Sequence, residues 1–206
     1  MTQSENEFFK VRLEKVKKLR DMGIDPYPAR FKRTHTSQQA ISAFEESVET
    51  SEEIKVSLAG RVMARRGMGK ATFLDIADGD GVIQILLRQN QMGEKYDVLE
   101  QLDIGDWVGV TGFMFLTRTG QISAQASEFS IICKALRPLP EKWHGLTDTE
   151  TRFRQKYLDL IANESAMESA KSRSKLVSTI RRFMDNLGFI EVETPCLLYT
   201  SDAADE

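Results

Sequence analysis

Between Ile54 and Cys133 the apolar residues recur at every second position, and that repeat restricts this chain more than anything else in it. Val56, Leu58 and Val62 alternate with Ser57, Arg61 and Met63. Leu74 and Ile76 alternate with Phe73 and Asp75, and Ile83, Ile85 and Leu87 alternate with Gln84 and Leu86. A period of two is the repeat of a strand with one buried face. Asp78-Gly79-Asp80-Gly81 joins the second run to the third and reads as a hairpin turn. A short helical patch at Lys95–Gln101 follows. Then come a strand around Trp107–Phe113, a turn at Thr117–Gly120 and a fifth strand from Gln121 onward.

Three strands, a helix and two strands within about 80 residues is the order of an OB-fold, a small Greek-key barrel that binds nucleic acid. The flanks read as helical. Over residues 7–22, Phe9, Leu13, Val16 and Leu19 recur at helical spacing. Lys10, Arg12, Lys15, Lys17, Lys18 and Arg20 occupy the other sides. Such a helix either touches nucleic acid or packs one face on its own protein, and charge runs are more often solvated faces. Gly23 stops it, and Pro26 and Pro28 keep it stopped. Thr36-Ser37-Gln38-Gln39 has capping-box spacing and starts a short helix with Ile41 and Phe44 inward. Residues 45–53 are acidic and serine-rich and read as a loop.

Pro138 and Pro140 mark a linker. Thr147-Asp148-Thr149-Glu150 is a second capping box, ahead of a helix with Phe153, Tyr157, Leu160 and Ile161 on one face. The next helix, Ser165–Leu187, turns Leu176, Ile180, Phe183 and Leu187 inward and ends at Gly188. The expected divisions are a helical extension at 1–53, the barrel at 54–137, the linker at 138–150 and a further domain opening at 151–195.

The formal net charge of −3 is not that of a general nucleic-acid binder, so basic residues must act locally. Cys133 and Cys196 form no Cys-x-x-Cys pair and His35 and His144 stand alone, so no metal site is expected. No apolar run reaches membrane length and no signal-peptide core is present, which makes the cytoplasm the expected location. No catalytic constellation appears. Gly67-Met68-Gly69-Lys70 lacks the glycine spacing, the Ser or Thr after Lys and the following helix of a Walker loop. Glu191 and Glu193 alternate with Val192 and read as a solvent or interface face.

The chemistry is concentrated on the second and third strands. With Leu74 and Ile76 inward, Phe73 points outward, where single-stranded bases stack on aromatic rings. Gln84 falls on the same face across the hairpin, and an amide that donates and accepts can read the edge of an unpaired base. Arg61, Arg65, Arg66 and Lys70 crowd the first strand and its loop and supply phosphate-directed charge. The competing interpretation is a Phe covered by a loop and arginines that keep an edge soluble.

Four segments carry a resemblance to a known family. They are Gly23-Ile24-Asp25-Pro26-Tyr27-Pro28, the strand from Ala59 to Arg66, the stretch Lys134–Leu146 with Leu136-Arg137-Pro138-Leu139-Pro140, and Arg152–Ile161 with Tyr157-Leu158-Asp159-Leu160. Gly188-Phe189-Ile190-Glu191-Val192-Glu193-Thr194-Pro195 after the long helix is similar to motif 1 of the class II aminoacyl-tRNA synthetases. Together they resemble the bacterial lysine–tRNA ligases of that class, over nearly everything up to Pro195. The aspartate and asparagine enzymes share the barrel and the Tyr-Leu-Asp-Leu element, but the Leu-Arg-Pro-Leu-Pro linker is similar to the lysine branch.

The resemblance implies an OB-fold barrel with an N-terminal helix, followed by the first helices and strand of a class II α+β catalytic domain. It implies that Phe73 and Gln84 contact the central uridine of a lysine anticodon, with Arg66 and Glu128 supporting; Arg65 and Arg61 are assigned to the same anticodon-binding face from their charge on the first strand. It implies a homodimer interface at Phe183, Gly188, Phe189, Val192 and Pro195, with tRNA as partner and ATP and magnesium used by the whole enzyme. Residues 196–206 match nothing in the family's pattern and are expected to be a truncation scar. Motifs 2 and 3 are missing, so no catalytic residue, cofactor or metal is expected within this chain, and it is expected to bind tRNA without activating lysine. The alternatives are a free-standing OB-fold module and a fragment of an aspartate or asparagine enzyme.

Overall fold

The computed structural model describes residues 3–47, 52–140, 146 and 148–193. It forms two compact units, Met1–Leu139 and Pro140–Glu206.

In the first unit, helix α1 (Gln3–Asp21) and helix α2 (Ser37–Ser47) precede strands β1 (Lys55–Met68), β2 (Ala71–Ala77) and β3 (Val82–Arg88). Helix α3 (Gln89–Met92) runs into a 3-10 helix (Gly93–Gln101), followed by β4 (Trp107–Leu116) and β5 (Ile122–Cys133). The strands close into a barrel in the order β1-β2-β3-β5-β4, with β3 and β5 the parallel pair. The alternating residues fill it: Val56, Leu58, Val62, Leu74, Ile76, Ile83, Ile85 and Leu87 are all buried. Gly112 is required where β4 meets β5, because a Cβ there would lie 2.0 Å from the Gln125 carbonyl oxygen.

Local signals set the connections. Thr36 N–H donates to Gln39 Oε1 (2.9 Å) and Gln39 N–H to Thr36 Oγ1 (3.3 Å), the reciprocal capping box. Asp78 accepts from the backbone N–H groups of Asp80 and Gly81 within the hairpin, and from Ser37 N–H and Oγ at the start of α2. Burial pushes the Asp78 carboxyl up, but these bonds outweigh it and hold it below the usual carboxylate range. At the end of α1, Gly23 at φ 74° lets Ile24 N–H reach the Leu19 carbonyl (2.9 Å), closing a Schellman turn that packs Ile24 on the core.

Several expectations are corrected in this unit. Helix α1 begins at Gln3. Its buried side includes Val16, Leu19 and Arg12, whereas Leu13 is exposed. Arg12 is spent on structure: its guanidinium donates to the carbonyls of Ala135, Arg137 and Ile104. Lys15 pairs with Asp103 at 2.6 Å. Lys10, Lys17, Lys18 and Arg20 remain exposed. Helix α2 continues through Glu45 to Ser47, into the segment read as a loop, and 48–51 lie outside the described residues. The helical patch after β3 begins at Gln89, six residues earlier than its apolar pattern marks.

In the second unit, α4 (Thr149–Arg154), α5 (Lys156–Ala162) and α6 (Glu164–Asn186) follow one another. The expected single helix through Phe153 and Tyr157 is broken at Gln155, and both aromatics are exposed. Asp148 caps α4 by accepting from Thr151 N–H (2.7 Å); Thr147, the cap position read from sequence, lies outside the described residues. Asp159 is fully buried and accepts from Arg152, Lys156 and Asn163, one each from α4, α5 and the start of α6. The Lys156 bond, then that of Asn163, holds its carboxyl far below the usual range.

The stripe Leu176, Ile180, Phe183 and Leu187, expected inward, is exposed; Phe183 is 61% exposed. Gly188 ends the helix with Phe189 N–H on the Met184 carbonyl (3.2 Å). The expected strand across Phe189–Glu193 is not formed, because no neighbouring strand among the described residues supplies a ladder. Thr194, Pro195 and the tail 196–206 lie outside the described residues.

Candidate nucleic-acid interface

Strand register brings the site together. Phe73 pairs with Leu86 and Asp75 with Gln84 across β2 and β3, and β3 continues the rows into β5 by pairing Gln84 with Ser123 and Leu86 with Gln125. Ser123 in turn pairs with Phe115 on β4. Directly paired residues share a face. The outer barrel surface therefore carries one row of Asp75, Gln84, Ser123 and Phe115 beside another of Phe73, Leu86 and Gln125. From these rows Phe73, Gln84, Leu86 and Phe115 line a groove of about 640 Å³, with the β4–β5 turn along one side.

A bulge adds Arg66 to this face. The β1–β2 register slips between Val62 and Ala64, so one extra residue sits in β1. Without it, Arg65 would keep the outward parity of Arg61. With it, Arg65 opposes the buried Leu74 and Arg66 opposes Phe73. Arg66 grips Asp75 with both guanidinium nitrogens, at 2.9 and 2.8 Å.

Gln84 is on the expected face but is only 8% exposed, because parallel β5 lies against it. Ser123 Oγ donates to its Oε1 at 3.1 Å. Its Nε2 has no acceptor among the described residues and no buried side-chain nitrogen or oxygen is left unsatisfied among them, so this donor group meets solvent at the groove.

The other predicted residues part company. Arg61 donates to the Gly105 carbonyl (3.0 Å) and lies over the Trp107 ring at 5.1 Å. Arg65 donates to the carbonyls of Leu99 and Leu102, tying β1 to the 3-10 helix. Glu128 is exposed on β5 opposite Thr111 and does not line the groove. Lys70 sits at the β1–β2 turn and is not among its lining residues either. Sequence reading missed Arg88, Phe115, Arg118 and Gln121, all of which line it. The outward parity of Phe115, opposite to buried Met114, was the available signal.

Comparison with known proteins agrees with both units. Residues 56–139 match the family of OB-fold nucleic acid binding domains, described as tRNA anti-codon, and 148–206 match the class II tRNA synthetases (D, K and N). The second match runs through 196–206, the segment read above as a departure. The chain is 53% identical over 193 residues to the lysine–tRNA ligase of Carboxydothermus hydrogenoformans, covering 93% of this chain and 39% of that protein. It is 52% identical to that of Pelotomaculum thermopropionicum over 193 residues (93% and 37%) and 47% to that of Bacillus subtilis over 196 (93% and 39%). The chain thus spans about two fifths of the length of the curated relatives it matches. Over the residues it spans, a barrel of the anticodon-binding type followed by class II helices, the chain belongs to the lysine–tRNA ligase family.

Proposed function

We propose that the barrel binds the anticodon of a lysine tRNA, within a protein that attaches lysine to that tRNA at the expense of ATP. The observation that carries the reading is the convergence of Phe73 and Gln84 on one outer groove, a stacking ring beside an amide. A base laid on Phe73 gains roughly 1–3 kcal/mol. The unengaged Gln84 donor suits a carbonyl on the base edge, which uracil has at the position where cytosine carries an amino group.

The exposed stripe of α6, with Phe183, Phe189 and Val192, supports a homodimer contact there, and Gly188 sets the turn that directs the chain into it. Magnesium is implied for the whole enzyme, but among the described residues no group of three or more His, Cys, Asp or Glu side chains could hold a metal ion, so no step is assigned to one. No helix among the described residues is long and apolar enough to cross a membrane. That fits the cytoplasmic location proposed for a translation enzyme.

The test is a fluorescence titration with an anticodon stem-loop reading UUU and with its central-base variants. Phe73→Ala should weaken binding about 5- to 150-fold. Gln84→Ala should instead reduce the preference for uridine at the centre. Wild-type affinity of Phe73→Ala would make Phe73 a surface packing residue and end this reading.

A further inference from the structure

We infer that Phe115 is a second base platform in the same groove, and that Arg88 and Arg118, not Arg66, hold the RNA backbone across it. This rests on the anticodon reading of the groove and extends it to residues that neither the sequence patterns nor the comparisons single out.

The aromatic half of the argument is one of register. Phe115 lies on the outer face of β4, in the row of Ser123 and Gln84, and its ring lines the groove. Phe73 is three strand spacings away, through β3 and β5. At about 4.8 Å per spacing, that is roughly 14 Å along the sheet. Two rings that sandwich one base would stand only about 7 Å apart, two van der Waals contacts of 3.5 Å. Side chains on the convex side of a barrel also splay away from one another. Phe73 and Phe115 are therefore separate platforms for separate bases. Gln84 lies between them, and buried Leu86 gives the floor an apolar patch.

The charged half is one of pairing. Arg66 enters the groove already bound bidentately to Asp75, so the two together contribute no net charge. Arg88, at the end of β3, and Arg118, in the β4–β5 turn, are exposed and line the groove without a hydrogen-bond or ion-pair partner among the described residues. They stand at opposite ends of the parallel strand pair, Arg88 at the end of β3 and Arg118 in the turn that leads into the start of β5. A backbone running from one ring to the other passes between them. Each phosphate neutralised on a single strand contributes about 0.7 to the slope of log affinity against log salt.

The experiment titrates a fluorescent UUU stem-loop, and three versions each abasic at one anticodon position, against wild type, Phe73→Ala, Phe115→Ala and Phe115→Leu. The leucine variant keeps an apolar side chain on the barrel while removing the stacking ring, so it reports even where alanine unsettles the fold. Phe115→Ala and Phe115→Leu should each weaken binding of the intact loop at least 5-fold. An abasic site should mask that loss, at a position other than the one that masks Phe73→Ala. Arg88→Ala and Arg118→Ala should each reduce the salt slope by about 0.7, with Arg66→Ala leaving it unchanged. If both Phe115 variants bind as wild type while Phe73→Ala is weakened, the second platform is refuted and the anticodon reading stands. If one abasic position masks both rings, they share a base and the inference is overturned. If neither ring matters, the anticodon reading falls and takes this one with it. A slope that responds to Arg66→Ala alone overturns the backbone assignment.

Discussion

Lys134 offers the sharpest test of how the barrel is held. It follows β5, its side chain has no solvent exposure, and its ammonium donates to Asp103 and, at 2.6 Å, to the equally buried Asp106. Asp106 also accepts from Asp103 N–H and Ala135 N–H (both 2.7 Å), and Lys15 of α1 reaches Asp103. One cation thus ties the chain leaving the barrel to the loop before β4 and, through Lys15, to α1. Lys134→Met keeps the length of the side chain and strands the fully buried carboxylate of Asp106, while Asp103 keeps Lys15. Breaking a buried pair in this way costs about 3–5 kcal/mol, a large part of the 5–15 kcal/mol typical of a whole domain. With a urea dependence of about 2 kcal/mol per molar, the midpoint should fall by roughly 1.5–2.5 M, followed by far-UV circular dichroism. Adding Asp106→Asn should recover part of the loss, because the uncompensated charge causes it. Acid supplies a second check. Burial pushes the Asp103 carboxyl up, but the bonds from Lys134 and Lys15 outweigh it and hold it below the usual range. Its contribution is therefore present above the ordinary carboxylate pKa and lost as pH falls through the depressed folded value, so the gap between wild type and variant should begin to narrow below about pH 4 and close as the pH passes that depressed value. A midpoint shift under about 0.5 M at neutral pH would mean that the cluster does not hold the barrel together.

Two further outcomes are expected. Ser123→Ala should leave overall RNA affinity within about 2-fold but reduce discrimination at the base read by Gln84 by about 2- to 12-fold, because the amide loses the hydrogen bond that orients it. Ser123→Thr should restore it, and unchanged discrimination in Ser123→Ala would show that Gln84 is positioned by packing alone. Hydrogen exchange should protect the buried amides of β1–β5 far more than those of α6, whose apolar residues are solvent-facing, and Asp159→Asn should speed exchange across Lys156–Ala162. Equal protection of strands and α6 would contradict the exposed stripe.

The barrel was legible because its signal is a repeat. Each inward set of β1, β2 and β3 was correctly placed from alternation alone, and the Asp78–Gly81 hairpin and both helix-ending glycines followed from turn chemistry. Sequence reading failed where tertiary partners decide. Arg12 belongs to a charge run, and nothing local distinguishes it from Lys10; only the carbonyls of Ile104, Ala135 and Arg137 bury it. Strict alternation cannot foresee the bulge after Val62, which reverses parity along the rest of β1. The α4–α5 break at Gln155 has no Pro or Gly to announce it. In the groove, Phe73 and Gln84 were found because they interrupt a pattern on adjacent strands, whereas Phe115 on β4 and Arg118 in the β4–β5 turn come beside them only through the parallel β3–β5 pairing, which hairpin logic does not predict.

Side-chain pairing sets the charge that the proposed RNA-binding face presents in a chain whose net charge is −3. Counting basic residues along β1 suggests a strongly positive edge, but only Arg66 of these lines the groove, and it is the one neutralised by a carboxylate. Arg61 is held by Gly105 and Trp107, Arg65 by Leu99 and Leu102, and Arg66 by Asp75. The role of Arg66 is then largely subtractive. Asp75 stands in the row of Gln84, where an unpaired carboxylate would repel any phosphate brought to the groove, and Arg66 cancels it. An exposed pair of this kind adds little to stability, at most about 1 kcal/mol, so its value lies in what it removes from the local field. The charge that acts on a ligand is the charge left after such pairs are formed, and on this face it comes from Arg88 and Arg118.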